Sequence, residues 1–325
     1  METKNIAIIS TGGTIASKRN SKTGLLESGV MSGEELSKKC KIPNYIRIII
    51  KSVFQIPSSH MTFEHLIKLK QNIETIFKDT TIDGVVITHG TDTLEETAFF
   101  LDLVISNKRP LVITGSQRGP ELEGTDAFVN LKDSIILAAS KEAEGLGTVV
   151  LFNEKIFSPK HVKKNHASNI NGFDSKGVGY LGTVDQQEVY VYQKPTYKDK
   201  FVLKQSLPTI EVVKTSLGSD GKFIDCARKN GASGIIIEGF GRGHVPPETL
   251  ESIEKATKRD VYVILTTSAE EGNVKVIYDF PGSVKSLKRR NVILAKNYDS
   301  KKAKIKLAVM IASKKSNISE QDFIF

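Results

Sequence analysis

The segment Ser10-Thr11-Gly12-Gly13-Thr14-Ile15-Ala16-Ser17 sets threonine hydroxyls on both sides of a glycine pair. A second segment, Thr88-His89-Gly90-Thr91-Asp92-Thr93-Leu94-Glu95-Glu96-Thr97, sets a hydroxyl directly before a carboxylate. Paired glycines let main chain approach a ligand closely and leave amides turned toward an anion. Three chemistries fit the first segment: a phosphate cradle, a plain strand-turn with satisfied hydroxyls, and a threonine nucleophile on a flexible loop. Neither GxGxxG nor GxxxxGK(S/T) is present, and the acids about 20 positions on, Glu34 and Glu35, belong to a helical pattern.

In the second segment Asp92-x-x-Glu95 has the spacing of a capping box, with Asp92 accepting helix amides and Glu95 at the third helical position. A cap uses one carboxylate oxygen, and the other can face a crevice and take an ammonium group. Amides near Thr91 suit a carboxylate or an oxyanion. Capping alone and capping combined with ligand binding are both open on these residues. His89 reads as a satisfied histidine at a strand end.

Short runs rich in Val and Ile alternate with longer amphipathic stretches, the mark of βαβ units and a parallel sheet. The pattern predicts strands over 6–10, 46–55, 85–89, 111–115 and 148–152, with helices over 33–40, 62–78, 92–106 and 126–140. A polar, Lys- and Pro-containing linker over 194–208 follows. Beyond it, strands are expected over 210–215, 234–238, 261–266 and 292–295, and helices over 223–230, 247–258 and 301–313. The fold class is therefore α/β: a larger N-terminal domain over 1–193 and a smaller C-terminal domain over 209–325, each with a parallel-rich sheet. Ligands of such sheets bind where loops leave the carboxyl ends of strands, and both unusual segments lie there.

Composition bounds the class. Of 325 residues, 39% are hydrophobic and 26% charged, which excludes a disordered or fibrous chain. The net charge is +9, and eleven basic residues against one acid, Asp299, fall between Lys285 and Lys315. A nucleic-acid or membrane surface is one reading of that run, and a solvated helix face is the other. The expectation is no nucleic-acid and no membrane partner, since aromatic residues do not interleave the lysines apart from Tyr298. Two cysteines, Cys40 and Cys226, make neither a disulfide framework nor a zinc site. The N-terminus lacks a signal-peptide apolar region, and no run approaches the roughly 18–20 apolar residues of a membrane helix. A soluble, cytoplasmic protein is expected.

STGGTIAS followed by THGTDTLEETA resembles the bacterial-type L-asparaginase family. The resemblance continues through Ile56-Pro57-Ser58-Ser59-His60-Met61, Ile113-Thr114-Gly115-Ser116-Gln117-Arg118, Val162-Lys163-Lys164, Glu238-Gly239-Phe240-Gly241-Arg242-Gly243 and Thr266-Thr267-Ser268, in order along nearly the whole chain. It implies that Thr14 is the nucleophile that forms an acyl-enzyme from the side-chain amide. Thr91 matches the second catalytic threonine, with Lys164 and Asp92 handling its proton. Asp92 also matches the residue that holds the substrate α-amino group, and Ser58 the α-carboxylate contact. Ser59 lines the substrate, and Ser116 aligns where a main-chain carbonyl receives the amide. Without the resemblance, Lys164 would read as an exposed lysine of the basic stretch 160–164.

The implied activity is hydrolysis of L-asparagine to L-aspartate and ammonia, without metal or cofactor, in a homodimer or homotetramer with active sites at subunit interfaces. A broader glutaminase-asparaginase, a tRNA-linked amidotransferase subunit and a non-catalytic asparagine sensor are the alternatives. One methylene is worth only about 1–3 kcal/mol in a pocket, so the first is close. The amidotransferase would carry an extra N-terminal domain, and this chain is expected to begin at its first strand. Three departures stand out. The family's mobile-loop tyrosine is missing from 17–31, so Tyr278 from a neighbouring segment or subunit, or water with Lys22, must substitute. Ser59-His60 replaces the usual acid or amide after the serine, and Arg242 stands where a partner asparagine is common.

Overall fold

The computed structural model describes residues 2–27, 33–196 and 199–324. Two compact units are present, one running to Lys200 and the other starting at Phe201.

The first unit is built on one eight-stranded sheet. Its strands are β1 (Lys4–Gly12), β2 (Ile46–Ile56), β3 (Gly84–Thr88), β4 (Leu111–Thr114), β5 (Thr148–Phe152), β6 (Lys155–Phe157), β7 (Gly182–Asp185) and β8 (Glu188–Val191). The order across the sheet is β8-β7-β6-β5-β4-β3-β1-β2. Strands β2, β1, β3, β4 and β5 are parallel, and β6, β7 and β8 extend them antiparallel. Helices α1 (Gly33–Lys39), α2 (Phe63–Lys78), α3 (Leu94–Val104) and α4 (Ala127–Ala139) complete it. All residues of β3 and β5 are buried, as central parallel strands covered on both faces must be. Helix α3 is buried almost all round, with Phe99, Phe100 and Leu101 shut off from water, so apolar residues occupy every side of it. The helix expected over 62–78 begins at Phe63 because Thr62 caps it, in a reciprocal box with His65.

The antiparallel extension was not expected from the sequence. Its two hairpin turns, Asn153-Glu154 and Gln186-Gln187, have positive φ at both central residues, between 43° and 80°. Such turns usually announce themselves by Asn-Gly or Asp-Gly, and neither pair contains glycine. The strands not expected, β6, β7 and β8, are three or four residues long, too short for a period to register.

The second unit is a four-stranded parallel sheet in sequential order: β9 (Ile210–Lys214), β10 (Gly234–Gly239), β11 (Tyr262–Thr267) and β12 (Ile293–Leu294). Helices α5 (Lys222–Lys229), α6 (Leu250–Thr257), α7 (Val284–Lys288) and α8 (Ser300–Ala312) surround it. Much of the basic run expected near the end is turned inward or paired. Lys302 and Lys306 on α8 are buried, and Lys306 Nζ donates to the Tyr298 hydroxyl at 2.8 Å. Glu320 of the final turn takes Lys288 at 3.1 Å and Lys296 at 2.7 Å, and Asp322 takes Lys315 at 3.1 Å. Among the described residues no helix is long and apolar enough to cross a membrane.

Replacing Phe99 by Ala leaves a cavity inside the first unit and is expected to cost about 3–5 kcal/mol, measured by urea denaturation followed by circular dichroism.

Candidate active site

Strand register brings four loops to one place. Ser10 lies beside Thr88, and Thr88 beside Thr114, across β1, β3 and β4. On the other side Gly12 lies beside Ile56 of β2, after a register shift between Ser10 and Gly12. The loops holding Thr14, Ser58, Thr91 and Ser116 therefore leave neighbouring carboxyl ends. The sheet changes winding direction between β1 and β3, where doubly wound sheets open a crevice.

Two glycines let these loops touch. Gly13 has φ of 82°, and a Cβ placed on it would fall 2.3 Å from the Gly90 Cα and N. A Cβ on Gly90 would fall 2.6 Å from Ser58 Oγ. Any side chain at either position would drive the loops apart. Thr14 follows Gly13 at the start of a single 3-10 turn, Thr14–Ala16, and is half-buried. Buried Ile15 and Ala16 anchor the base of the flap beyond it, a two-residue hairpin of Lys18–Arg19 with Leu26–Glu27. Asn20 tightens that hairpin by accepting the Lys22 and Thr23 N–H groups at 2.8 and 3.1 Å. Of the tyrosine-free stretch 17–31, residues beyond Glu27 lie outside the described ones.

Thr91 is buried, and Lys164 Nζ donates to its Oγ1 at 2.8 Å. The same ammonium donates to Asp92 Oδ1 at 2.8 Å. The lysine side chain is 15% exposed and the aspartate 61%, so the pair closes one wall of the crevice while the carboxylate faces out. Lys164 arrives on a two-residue ladder with Phe173, whose ring packs on Phe152 at 4.6 Å. The exposed-lysine reading of Lys164 is thus replaced by a tertiary contact across 73 residues.

The capping reading of Asp92 does not hold. Helix α3 starts at Leu94 behind Thr93, which makes no side-chain cap bond. The Asp92 carboxylate goes to Lys164 instead, and the Asp92 N–H donates to Ser58 Oγ at 3.1 Å. Thr93 Oγ1 donates to the Ser58 carbonyl at 2.8 Å, so buried Ser58 is tied to this loop twice. Ser59 beside it is exposed. Ser116 is buried and donates to the Arg118 carbonyl at 2.8 Å. Its loop is held by Asp126, which accepts the Gln117 and Arg118 N–H groups at 2.9 Å each, and by Asn130, which donates to the Gly115 carbonyl at 2.9 Å. Among the described residues no group of three or more His, Cys, Asp or Glu side chains is arranged to hold a metal.

His89 lies beneath the loop with both ring nitrogens partnered, Nδ1 with the Gly90 carbonyl at 2.7 Å and Nε2 with Thr97 Oγ1 at 3.1 Å. Burial pushes its imidazole down to about 4, against the opposing effect of the Gly90 contact. It braces the Gly90 turn as a neutral ring, as expected of a strand-end histidine. Asp126, Asn130 and the partner role of Thr97 carried no signal in the sequence, because their importance lies in which loop they reach.

Two family models divide the chain between them. The model for Asparaginase, N-terminal, matches residues 5–197, and that for the Glutaminase/Asparaginase C-terminal domain matches residues 209–324. The chain belongs to the asparaginase family. Within it, an L-asparaginase of Bacillus licheniformis is 52% identical over 318 residues, covering 98% of both chains. A glutaminase-asparaginase of Pseudomonas aeruginosa is 30% identical, over 99% of this chain and 90% of its own. The solved structure of the "probable cytoplasmic L-asparaginase" of Campylobacter jejuni superposes with a TM-score of 0.90 at 29% identity, covering 99% of each chain. The asparaginase fold thus accounts for both α/β units and for the parallel-rich sheets.

The depressed His89 gives a pH test. Between its unfolded value of 6.5 and about 4 the unfolded chain binds a proton that the folded asparaginase does not, so stability falls as pH drops through that range. The loss approaches about 3 kcal/mol, because the ring is fully buried. Asp133, pushed up to about 6 by burial and then by nearby Glu154, runs the opposite way and offsets part of it. The difference between wild type and His89→Gln isolates the histidine. Urea midpoints at pH 7 and pH 4 should show the variant losing less on acidification.

Proposed function

We propose that this chain hydrolyses L-asparagine to L-aspartate and ammonia through a threonine nucleophile. The observation that carries the reading is the single ammonium of Lys164, 2.8 Å from Thr91 Oγ1 and 2.8 Å from Asp92 Oδ1 at the mouth of the crevice. Binding a small zwitterion needs no hydroxyl tied to an amine, whereas moving a proton does.

In the proposed reaction the Asp92 carboxylate takes the substrate ammonium group and Ser58 the α-carboxylate. The Thr14 hydroxyl adds to the side-chain amide carbon, and loop amides receive the charge that develops on oxygen. Collapse expels ammonia, which leaves with the proton lost by Thr14, and an acyl ester stays on Thr14. Water then adds to the ester carbonyl as its proton passes to Thr91 Oγ1, the Thr91 proton to Lys164 Nζ and one Lys164 proton to Asp92 Oδ1. Expulsion of the Thr14 oxygen, which recovers that proton, frees L-aspartate. The net change is asparagine plus water to aspartate plus ammonia. Each step uses groups of the chain and water. Ser59 and Ser116 complete the substrate wall in this reading, and the likeness to the Campylobacter jejuni protein supports a cytoplasmic location.

Thr14→Ala, Thr91→Val and Lys164→Met should each lower kcat on the order of 10³-fold or more while the circular dichroism spectrum is unchanged. Ammonia release from L-asparagine, L-glutamine and D-asparagine reads both reaction and preference. Equal turnover of glutamine would replace the reading by a glutaminase-asparaginase, and tight asparagine binding without ammonia would replace it by a sensor.

A homo-oligomer forms part of the proposal. In the second unit Ile277 and Tyr278 are each more than half exposed, beside exposed Val276 and Phe280. The ring of His244 packs against Tyr278 at 5.4 Å and Phe280 at 5.0 Å, and neither of its buried nitrogens has a hydrogen-bond partner among the described residues. A contiguous apolar patch around an unsatisfied polar ring is a surface that a second copy would cover. Light scattering after gel filtration should give a dimer or tetramer for wild type and smaller species for Ile277→Asp with Tyr278→Asp.

A further inference from the structure

Glu95 lies in the first turn of α3, and its side chain is completely buried. Its Oε2 accepts the main-chain N–H of Lys164 at 3.0 Å. Asp92 and Glu95 are three residues apart, a spacing that brings two side chains to one side of a helix start. Both carboxylates take the same lysine: Asp92 holds its ammonium and Glu95 its backbone.

The backbone contact has a specific use. A lysine has four rotatable carbons, so a defined Nζ position needs a defined Cα position. The ladder that carries Lys164 is only two residues long on each strand. Its neighbouring hydrogen bond runs from the Asn165 N–H to the Gly172 carbonyl, at 2.9 Å, and the Lys164 N–H goes to Glu95. A carboxylate accepting an N–H is among the stronger hydrogen bonds, and it is stronger still away from water. On the far side the segment is fastened by fully buried Val162. Lys164 is thus gripped from the core by Val162 and from α3 by Glu95.

We infer that Glu95 is a positioning residue that holds the main chain of Lys164 where its ammonium reaches Thr91 Oγ1. The Asp-x-x-Glu spacing is then a two-point clamp on the lysine rather than a helix cap. This inference rests on the hydrolase reading above and deepens it.

The test is Glu95→Gln in the full chain, which keeps an acceptor of the same length and removes the charge. Hydrogen exchange read by mass spectrometry, without substrate, should show faster exchange in the peptide spanning 160–166 and unchanged exchange in α3. In steady-state ammonia release kcat should fall about 10- to 100-fold, as expected for a misplaced catalytic group, with KM within about twofold of wild type. Unchanged exchange at 160–166, or wild-type kcat, overturns the inference. So does a loss confined to KM, or faster exchange throughout the unit, which would make Glu95 a general packing residue. If Glu95→Gln does not fold, Glu95→Asp retains the charge on a shorter arm and should show the same split between kcat and KM. Wild-type turnover in the same assay tests the hydrolase reading separately, since the exchange measurement reports on Glu95 whether or not ammonia is released.

Discussion

One ammonium group with two oxygen partners sets the requirements for everything around it. Lys164 Nζ meets Thr91 Oγ1 and Asp92 Oδ1 across more than 70 residues of chain, with the lysine and threonine largely out of water and the aspartate open to it. Removing a charge from solvent is costly unless its donors are matched by acceptors in good geometry. The acceptors come from the loop after a central parallel strand, and the donor comes from the segment between β6 and β7 of the antiparallel extension of the same sheet. Neither position is adjustable, since β3 is buried along its whole length and Phe173 is stacked on Phe152.

The same economy of space governs the loop contacts. Gly13 touches Gly90, and Gly90 touches Ser58, at separations that no Cβ could occupy. The glycines so conspicuous in the two motifs are therefore contact surfaces between loops as much as sources of backbone freedom. Because Ser10, Thr88 and Thr114 are in lateral register, the hydroxyls and carboxylate of the motifs gather at the β1/β3 crevice. A shift of one residue in either pairing would turn the strand-end side chains to the opposite face.

Charge in the second unit has a structural use. The basic run toward the end of the chain looked in sequence like either a binding surface or a solvated helix. In the fold two of its lysines, Lys302 and Lys306 on α8, are buried, and others pair with Glu320 and Asp322 of the final turn. The last residues thereby fasten to α7 and to the segments on either side of α8, with Phe323 buried against Tyr298 at 5.6 Å between ring centroids. Those acids lie beyond the lysine run in sequence, so a local charge tally overstated the exposed positive field.

The sequence by itself determined the α/β class, the parallel strands and most helices, because apolar periodicity is local and each βα unit carries its own pattern. It also determined the glycine-threonine motifs, whose residue types restrict the chemistry before any fold is known. Hairpins such as Gln186-Gln187 left no trace, since positive φ without glycine has no compositional sign. Tertiary structure alone decided which partner each motif residue takes. Asp92 and Glu95 have the spacing of a helix cap, and a cap is the only partner local sequence can offer them. Lys164, brought up on a ladder seventy residues later, binds both carboxylates instead, because a half-buried lysine must satisfy its ammonium and its N–H wherever the sheet delivers it.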